Sequence, residues 1–303
     1  MRDRDRDRDR GRDRGRDRDR DRNRNRNRPQ IPPMTPRLFT HLTNLEARKL
    51  MSYRADFWIT AVANLIATVV VHWFLWRSIF ATTGAESIGG YTFPAMMTYL
   101  IAVNLIGRVV RGSDLQLAMA TEIYDGGLSR YLLYPTRYAL FKYAQHIGAI
   151  VPELIQMFLF AGILIAIFGL PAGSGFTPAT IALVLPALWV GNLLYFLLSV
   201  PLQLVAFWAD NVWSLGVMLR FSSMLLGGAM LPLAMFPEGM AEVLRFLPFV
   251  ACYEFPVRVA MGEVGPAEYA AGLATGLGWC AVIALGTVPL WRRGERGYTG
   301  VGI

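Results

Sequence analysis

The stretch "FWITAVANLIATVVVHWFLWRSIF", Phe57 to Phe80, decides the fold class. It carries one histidine, His72, and one full charge, Arg77, close to its end. As a helix at about 1.5 Å per residue it reaches roughly 36 Å, enough to cross the roughly 30 Å hydrocarbon core of a bilayer. Further apolar runs of similar length follow at about Phe93–Val110, Ile147–Leu170 (with a polar lead-in from Tyr138), Pro178–Phe207, Val212–Leu233 and Tyr269–Trp291. The spacing predicts an all-α integral membrane protein with six transmembrane helices, the fourth bent near Pro186 or Pro201.

Charge orients these spans. The chain has 303 residues and a formal charge of +8, but the first 28 residues alone hold 14 Arg and 8 Asp. The rest is nearly neutral, with 16 Lys+Arg against 14 Asp+Glu. Twelve of those 16 fall on the face that bears the N-terminus: Arg37, Arg48, Lys49, Arg54, Arg108, Arg111, Arg130, Arg137, Lys142, Arg292, Arg293 and Arg296. Basic loops stay in the cytoplasm, so both termini are expected there, in a multi-pass protein of the cell membrane.

Residues 1–34, which alternate Arg with Asp or Asn as far as Arg28, contain too few apolar side chains to offset the entropy of folding, so disorder is expected. Such a tail could meet anionic lipid headgroups or RNA, or have no dedicated role. The interleaved Asp cancels much of the Arg field, which favours the second, and no nucleic-acid partner is expected. No removable signal peptide is expected either. Residues 35–56 follow with Thr35-Pro36 as cap and first turn, and with Leu38, Leu42, Leu45, Leu50 and Tyr53 at helical spacing among charges. They predict an amphipathic helix on the membrane surface, leading into a six-span domain over 57–303. Between the fifth and sixth spans, prolines at 232, 237, 248 and 256 break the apolar run into short pieces. Re-entrant or short outer helices are expected over 233–262.

Several chemistries find no support. There is no GxxxxGK[ST] run, so no phosphate-cradling loop. His41, His72 and His146 show no metal-ligand spacing, and Cys252 and Cys280 read as small buried hydrophobes. No bound cofactor or metal is expected on this chain. Within the spans, His72, Glu153 and Arg220 are the ionisable residues to explain, because a charge at that depth carries a function by default. Glu153 is either a proton or cation site or a structural group bonded across helices through Gln156 or His146, with Arg220 as a possible counter-charge.

The polar segment "EIYDGGLSRYLLYP", Glu122 to Pro135, lies on the cytoplasmic side within a connection over 112–137. Ser113 or Asp114 would cap a helix that Gly126-Gly127 breaks after Tyr124, and a second short helix would stop at Pro135. Leu115, Leu117, Ile123, Leu128, Leu132 and Leu133 form its apolar side. Glu122, Asp125 and Arg130 form its expected exposed side.

The succession "MSYRADFW", "IGGYT", "EIYDGGLSRYLLYP", "FWADN", "GGAMLPLAMFP", "LRFLPF" and "RRGERGYTGVG" resembles the permease subunit of type-2 ATP-binding-cassette exporters, in the six-span branch paired with a separate ATPase. The likeness covers about Leu38 to Gly302, and the "YTG" ending departs from the usual serine-containing one. It implies a cytoplasmic ATPase subunit that holds ATP and magnesium and grips the segment after span two. Glu122, Gly127 and Leu128 match that motif, with Asp125, Gly126 and Arg130 beside them. It also implies a second permease subunit, in a homo- or heterodimer, with substrate moving along the interface of spans two and five. Asn104, Asn192 and Arg220 would line that path. Two other readings remain at this point: a proton- or ion-coupled secondary transporter using Glu153, and a membrane anchor whose cytoplasmic segment recruits a partner.

Overall fold

The computed structural model describes residues 34–52, 54–112, 117–132, 137–169 and 177–298. The Arg/Asp tail, Ser113, Asp114, Leu115, Leu133, Pro135 and the residues after Tyr298 lie outside that description. Among the described residues the secondary structure is helical, with no named strand. Thr35 opens α1 (Pro36–Ser52), its hydroxyl accepting the Leu38 N–H at 3.3 Å. Then come α2 (Arg54–Thr83), α3 (Phe93–Arg111), the short α4 (Ala118–Tyr124) and α5 (Leu128–Leu132), α6 (Tyr138–Phe168) and α7 (Pro178–Leu204). After these follow α8 (Trp213–Leu226), α9 (Glu238–Phe246), α10 (Glu254–Met261) and α11 (Pro266–Gly297).

Five helices are long and apolar enough to cross a membrane: α2, α3, α6, α7 with its 3-10 extension to Phe207, and α11. The run expected as a fifth span is shorter in helical form. Its helix, α8, has 14 residues, about 21 Å at 1.5 Å per residue. It stops at Leu226, where the Ala229 and Met230 N–H groups both turn back to the Met224 carbonyl, and a 3-10 turn at Leu233–Met235 follows. The proline-rich stretch beyond forms α9 and α10, nine and eight residues long and too short to span.

The polar lead-in before span three is the first part of α6 itself. α1 runs beside it in the same direction. Phe39 lies 6.4 Å from Tyr143, the Thr43 hydroxyl donates to the Ala144 carbonyl, and just past α1 Trp58 meets Phe160 at 6.2 Å. The sequence predicts a helix resting on the membrane surface. The structure turns the Glu46–Ala47 side of α1 into the protein, against Gly148 of α6. A Cβ on Gly148 would stand 2.5 Å from the Thr43 carbonyl oxygen, so this crossing needs a glycine.

α3 and α7 form the centre, with Tyr99, Leu100, Val109, Leu194 and Tyr195 almost fully buried, and α10 and α11 close over α7. The outside is apolar. On α2, Ile59, Ile66, Val71 and Phe74 are all more than half exposed. A face like that is unfavourable in water and is covered by lipid in a membrane protein. One end of the bundle gathers the C-terminus of α3, the start of α6, the end of α7, the start of α8 and the end of α11, together with α4 and α5. Phe39, near the first described residue, and Tyr298, the last, both sit at this end, through Tyr143 and Phe207 respectively. The opposite end holds the α2–α3 turn, α9, α10 and the start of α11.

Candidate functional site

The segment after α3 is built as a clamped platform. α4 ends at Tyr124, and Gly126 turns the chain with φ +69°, in the left-handed region where a side chain is strained. α5 then starts at Leu128, so the break falls where the glycine pair predicts it. The underside is apolar: Met119, Ala120, Ile123 and Leu128 are buried against Tyr138, Phe196, Val200, Leu204 and Val212. Burying Ile123 and Leu128 contributes about 1.5–3 kcal/mol each. The Met119 N–H donates to Gln203 Oε1 at 3.1 Å, which pins the first turn of α4 to α7.

Glu122 does not sit on the exposed rim. Its carboxylate turns under the platform and accepts from Lys142 Nζ and from the Tyr138 hydroxyl, both on α6. Lys142 is 5% exposed, and a buried ammonium needs an anion beside it, which is the physical reason for the inward turn. Tyr131 covers the same ammonium with its ring face, 4.7 Å away, and Tyr138 stacks on Trp291 of α11 at 5.3 Å. Burial, and after it the Glu122 charge, push the Tyr131 hydroxyl above the usual phenol range. The rim is left to Thr121, Asp125, Ser129 and Arg130, all exposed. Thus the segment is fixed beneath by an ion pair, a ring stack and apolar burial, and open above with one acid and one base.

The residues assigned to a path are not brought together. Asn104 of α3 donates to the Thr68 hydroxyl of α2 at 3.2 Å. Asn192 of α7 is buried, donating to the Val110 carbonyl at 3.0 Å with its amide 2.9 Å from His146 Nε2. Both bond helices within the chain. Arg220 is different: it is exposed midway along α8, a helix on which Trp213, Met218, Phe221 and Leu225 are exposed as well. Among the described residues no carboxylate lies within 4 Å of its guanidinium.

Glu153 finds its counter-charge on α3 rather than on α8. Arg108 reaches it at 2.9 Å and also donates to Gln156 Oε1 at 2.8 Å. Gln156 in turn donates to the Phe57 carbonyl at 3.4 Å. This group ties α2, α3 and α6 near one end of the bundle and gives Glu153 a structural partner. Tyr138, Lys142 and Arg108 escape the sequence reading as partners. The signal for Lys142 was its rarity, since it is one of only two lysines in the chain. Cys252 and Cys280 are free and buried, as their apolar surroundings predict.

At the opposite end, Glu254 opens α10 at 5% exposure, and its Oε2 accepts the Leu233 N–H at 3.0 Å. Its own N–H donates to the Gly227 carbonyl, and the Tyr99 hydroxyl donates to the Gly228 carbonyl at 2.8 Å. These bonds tie α10, the end of α8 and α3. Burial pushes the Glu254 carboxyl above the usual carboxylate range, against the opposing pull of the Leu233 N–H.

A family model described as "ABC-2 family transporter protein" covers residues 66–302. Among curated proteins the chain has no match.

Proposed function

The chain belongs to the ABC-2 family of transporter proteins, and from that premise we propose that it is the membrane subunit of an ATP-driven exporter worked by a separate ATPase. The observation that carries this reading is the platform of α4 and α5. A lever must be rigid toward the helices it moves and open toward what moves it. The underside is locked to α6, α7 and α11, while Asp125 and Arg130 stand exposed on the rim. A push from an ATPase at that rim would pass to those helices as a rigid-body shift between inward- and outward-facing states. ATP and magnesium would be held by the partner, since this chain has no phosphate loop of its own.

The six-span arrangement is part of the proposal, with α8 as the fifth crossing. α8 starts beside Leu204 and Ile123 at the platform end, and the chain just past it meets Tyr99, twelve residues from the platform end of α3. The non-helical stretch beyond Leu226 would complete the passage where protein surrounds it. The platform end collects Arg108, Arg111, Arg130, Arg137 and Lys142, which supports a cytoplasmic platform with both termini on the same side of the cell membrane. A second permease subunit would cover the exposed face of α8, since Arg220 there is unfavourable against lipid.

The test is capture of a separate phosphate-loop ATPase subunit co-expressed with this chain. Co-expressed wild type should retain it through purification in detergent, and vesicles holding both should transport only with ATP. The paired reversal Asp125→Arg with Arg130→Asp should lower capture about tenfold, consistent with charge pairs worth roughly 1.5 kcal/mol or more across an interface. Transport by this chain alone, driven by a proton gradient, would overturn the proposal.

A further inference from the structure

We infer that the exposed stripe of α8 centred on Arg220 binds the anionic group of an amphipathic substrate, so that the cargo is an amphiphile with a phosphate, sulfate or carboxylate head. This rests on the transporter reading above and names its substrate class. Trp213, Val217, Arg220 and Met224 succeed one another at spacings of three or four residues and so lie along one line of the helix, with Phe221 beside them. Leu219 and Ser223 of α8 are buried and Met224 and Leu226 pack on the core, while Trp213, Met218, Arg220, Phe221 and Leu225 are exposed, so one side of α8 is free of the rest of the chain.

The chemistry of the line is specific. Arg220 is the single charge in a helix whose other polar side chains, beside Trp213, are Ser214, Ser222 and Ser223, and it lies about 10 Å from either helix end at 1.5 Å per residue. Among the described residues it has no carboxylate partner, unlike Arg108 and Arg258, which are both paired. If a second copy covered this face about a two-fold axis, it would bring a second Arg220 toward the first, and like charges at that depth call for an anion between them. A guanidinium presents a planar fork of donors that suits an oxyanion. The flanking tryptophan and phenylalanine suit an alkyl or aromatic body. A bare inorganic anion would leave that apolar part of the stripe unused.

The probe is a fluorescent dodecyl phosphate, with the matched dodecyl trimethylammonium as control, titrated into the purified full chain in nonionic detergent. Wild type should bind the phosphate at least about tenfold more tightly than the cation, as expected for hydrogen bonds to a charged group. Arg220→Gln should abolish that preference and Arg220→Lys should keep most of it, both with unchanged thermal midpoints. Equal affinity of wild type for the two probes overturns the inference without any variant. So does full displacement of the phosphate probe by an equal concentration of phosphatidylglycerol, because the stripe would then hold bilayer lipid. Retention of the ATPase is read on the same preparations: its loss in wild type would remove the transporter reading, whereas retention with indifferent probe binding removes only the anionic substrate.

Discussion

Two glutamates at opposite ends of the bundle are treated in opposite ways. Glu122, under the platform of α4 and α5, meets a full positive charge in Lys142 and a hydroxyl in Tyr138. Glu254, in the short helices of the other end, meets the backbone N–H of Leu233, and the nearby Arg258 is engaged by Glu263 at 3.6 Å and Glu268 at 2.5 Å. The first end is held by a fixed ion pair, which makes a stiff joint whose strength depends on both partners. The second is held by a carboxyl in a poorly hydrated place, where a proton is the easier company. Under the proposed function, force would enter at the end with the fixed charges, and the buried carboxyl would stand at the end where cargo leaves.

The comparison breaks most visibly at Lys142. Removing one member of a buried ion pair leaves the other uncompensated, at about 3–5 kcal/mol. Lys142→Met should therefore lower the melting temperature in detergent more than a substitution at Glu254, Gly126 or Gly127, and Lys142→Met with Glu122→Leu should recover most of the loss. If the single variant melts as wild type does, the platform is held by its apolar underside alone. The same pair changes how Glu122 is to be tested. Replacing it by arginine would place two cations in one buried site, so a lost ATPase would report a damaged platform rather than a lost contact.

The apolar runs show where the long helices lie, because a length near that of the hydrocarbon core is written in consecutive residues, and the Gly126-Gly127 break is equally local. What sequence does not carry is the direction in which a side chain turns. Glu122 and Asp125 are both acids in a polar segment, and only the position of α6 sends one inward to Lys142 and leaves the other on the rim. Glu153 has Arg108 for the same reason: α3 and α6 are separated by a connection whose path no periodicity reveals. The length of α8 was half legible. Hydropathy continues to Leu233, yet Gly227-Gly228 and Pro232 stand inside that run, and the helix stops in front of them. Of the three residues assigned to a path, only Arg220 kept an open face, because each asparagine found a bonding partner on another helix.

Glu254 should show a smaller and pH-dependent effect. Burial holds its carboxyl above the ordinary 4.5. The folded chain therefore binds this proton more tightly than the unfolded chain does. Its contribution to stability is full below pH 4.5 and is lost as pH rises from there through the folded-state value. Glu254→Gln keeps an oxygen for the Leu233 N–H, so its cost at low pH should stay below about 1.5 kcal/mol, the worth of one hydrogen bond. The difference in melting temperature, wild type minus variant, should fall with rising pH above 4.5. A difference that rises with pH instead would mean that Glu254 is held charged, and the contrast between the two ends would vanish.

The finest contrast lies within the glycine pair of the platform. Gly126 takes φ +69°, where an added Cβ strains the backbone whatever space surrounds it. Gly127 has an ordinary φ, and a Cβ there would stand 3.6 Å from the Glu122 carbonyl oxygen, a normal contact. Gly126→Ala should cost about 1–2 kcal/mol, the penalty of an L-residue in the left-handed region. Gly127→Ala should fall within about 0.5 kcal/mol of wild type, as surface changes away from strain do. Thermal melts in detergent separate the two. Should they come out equal, the turn would not depend on the conformation of Gly126, and the orientation of α5 beneath the rim would have to come from the burial of Leu128 alone.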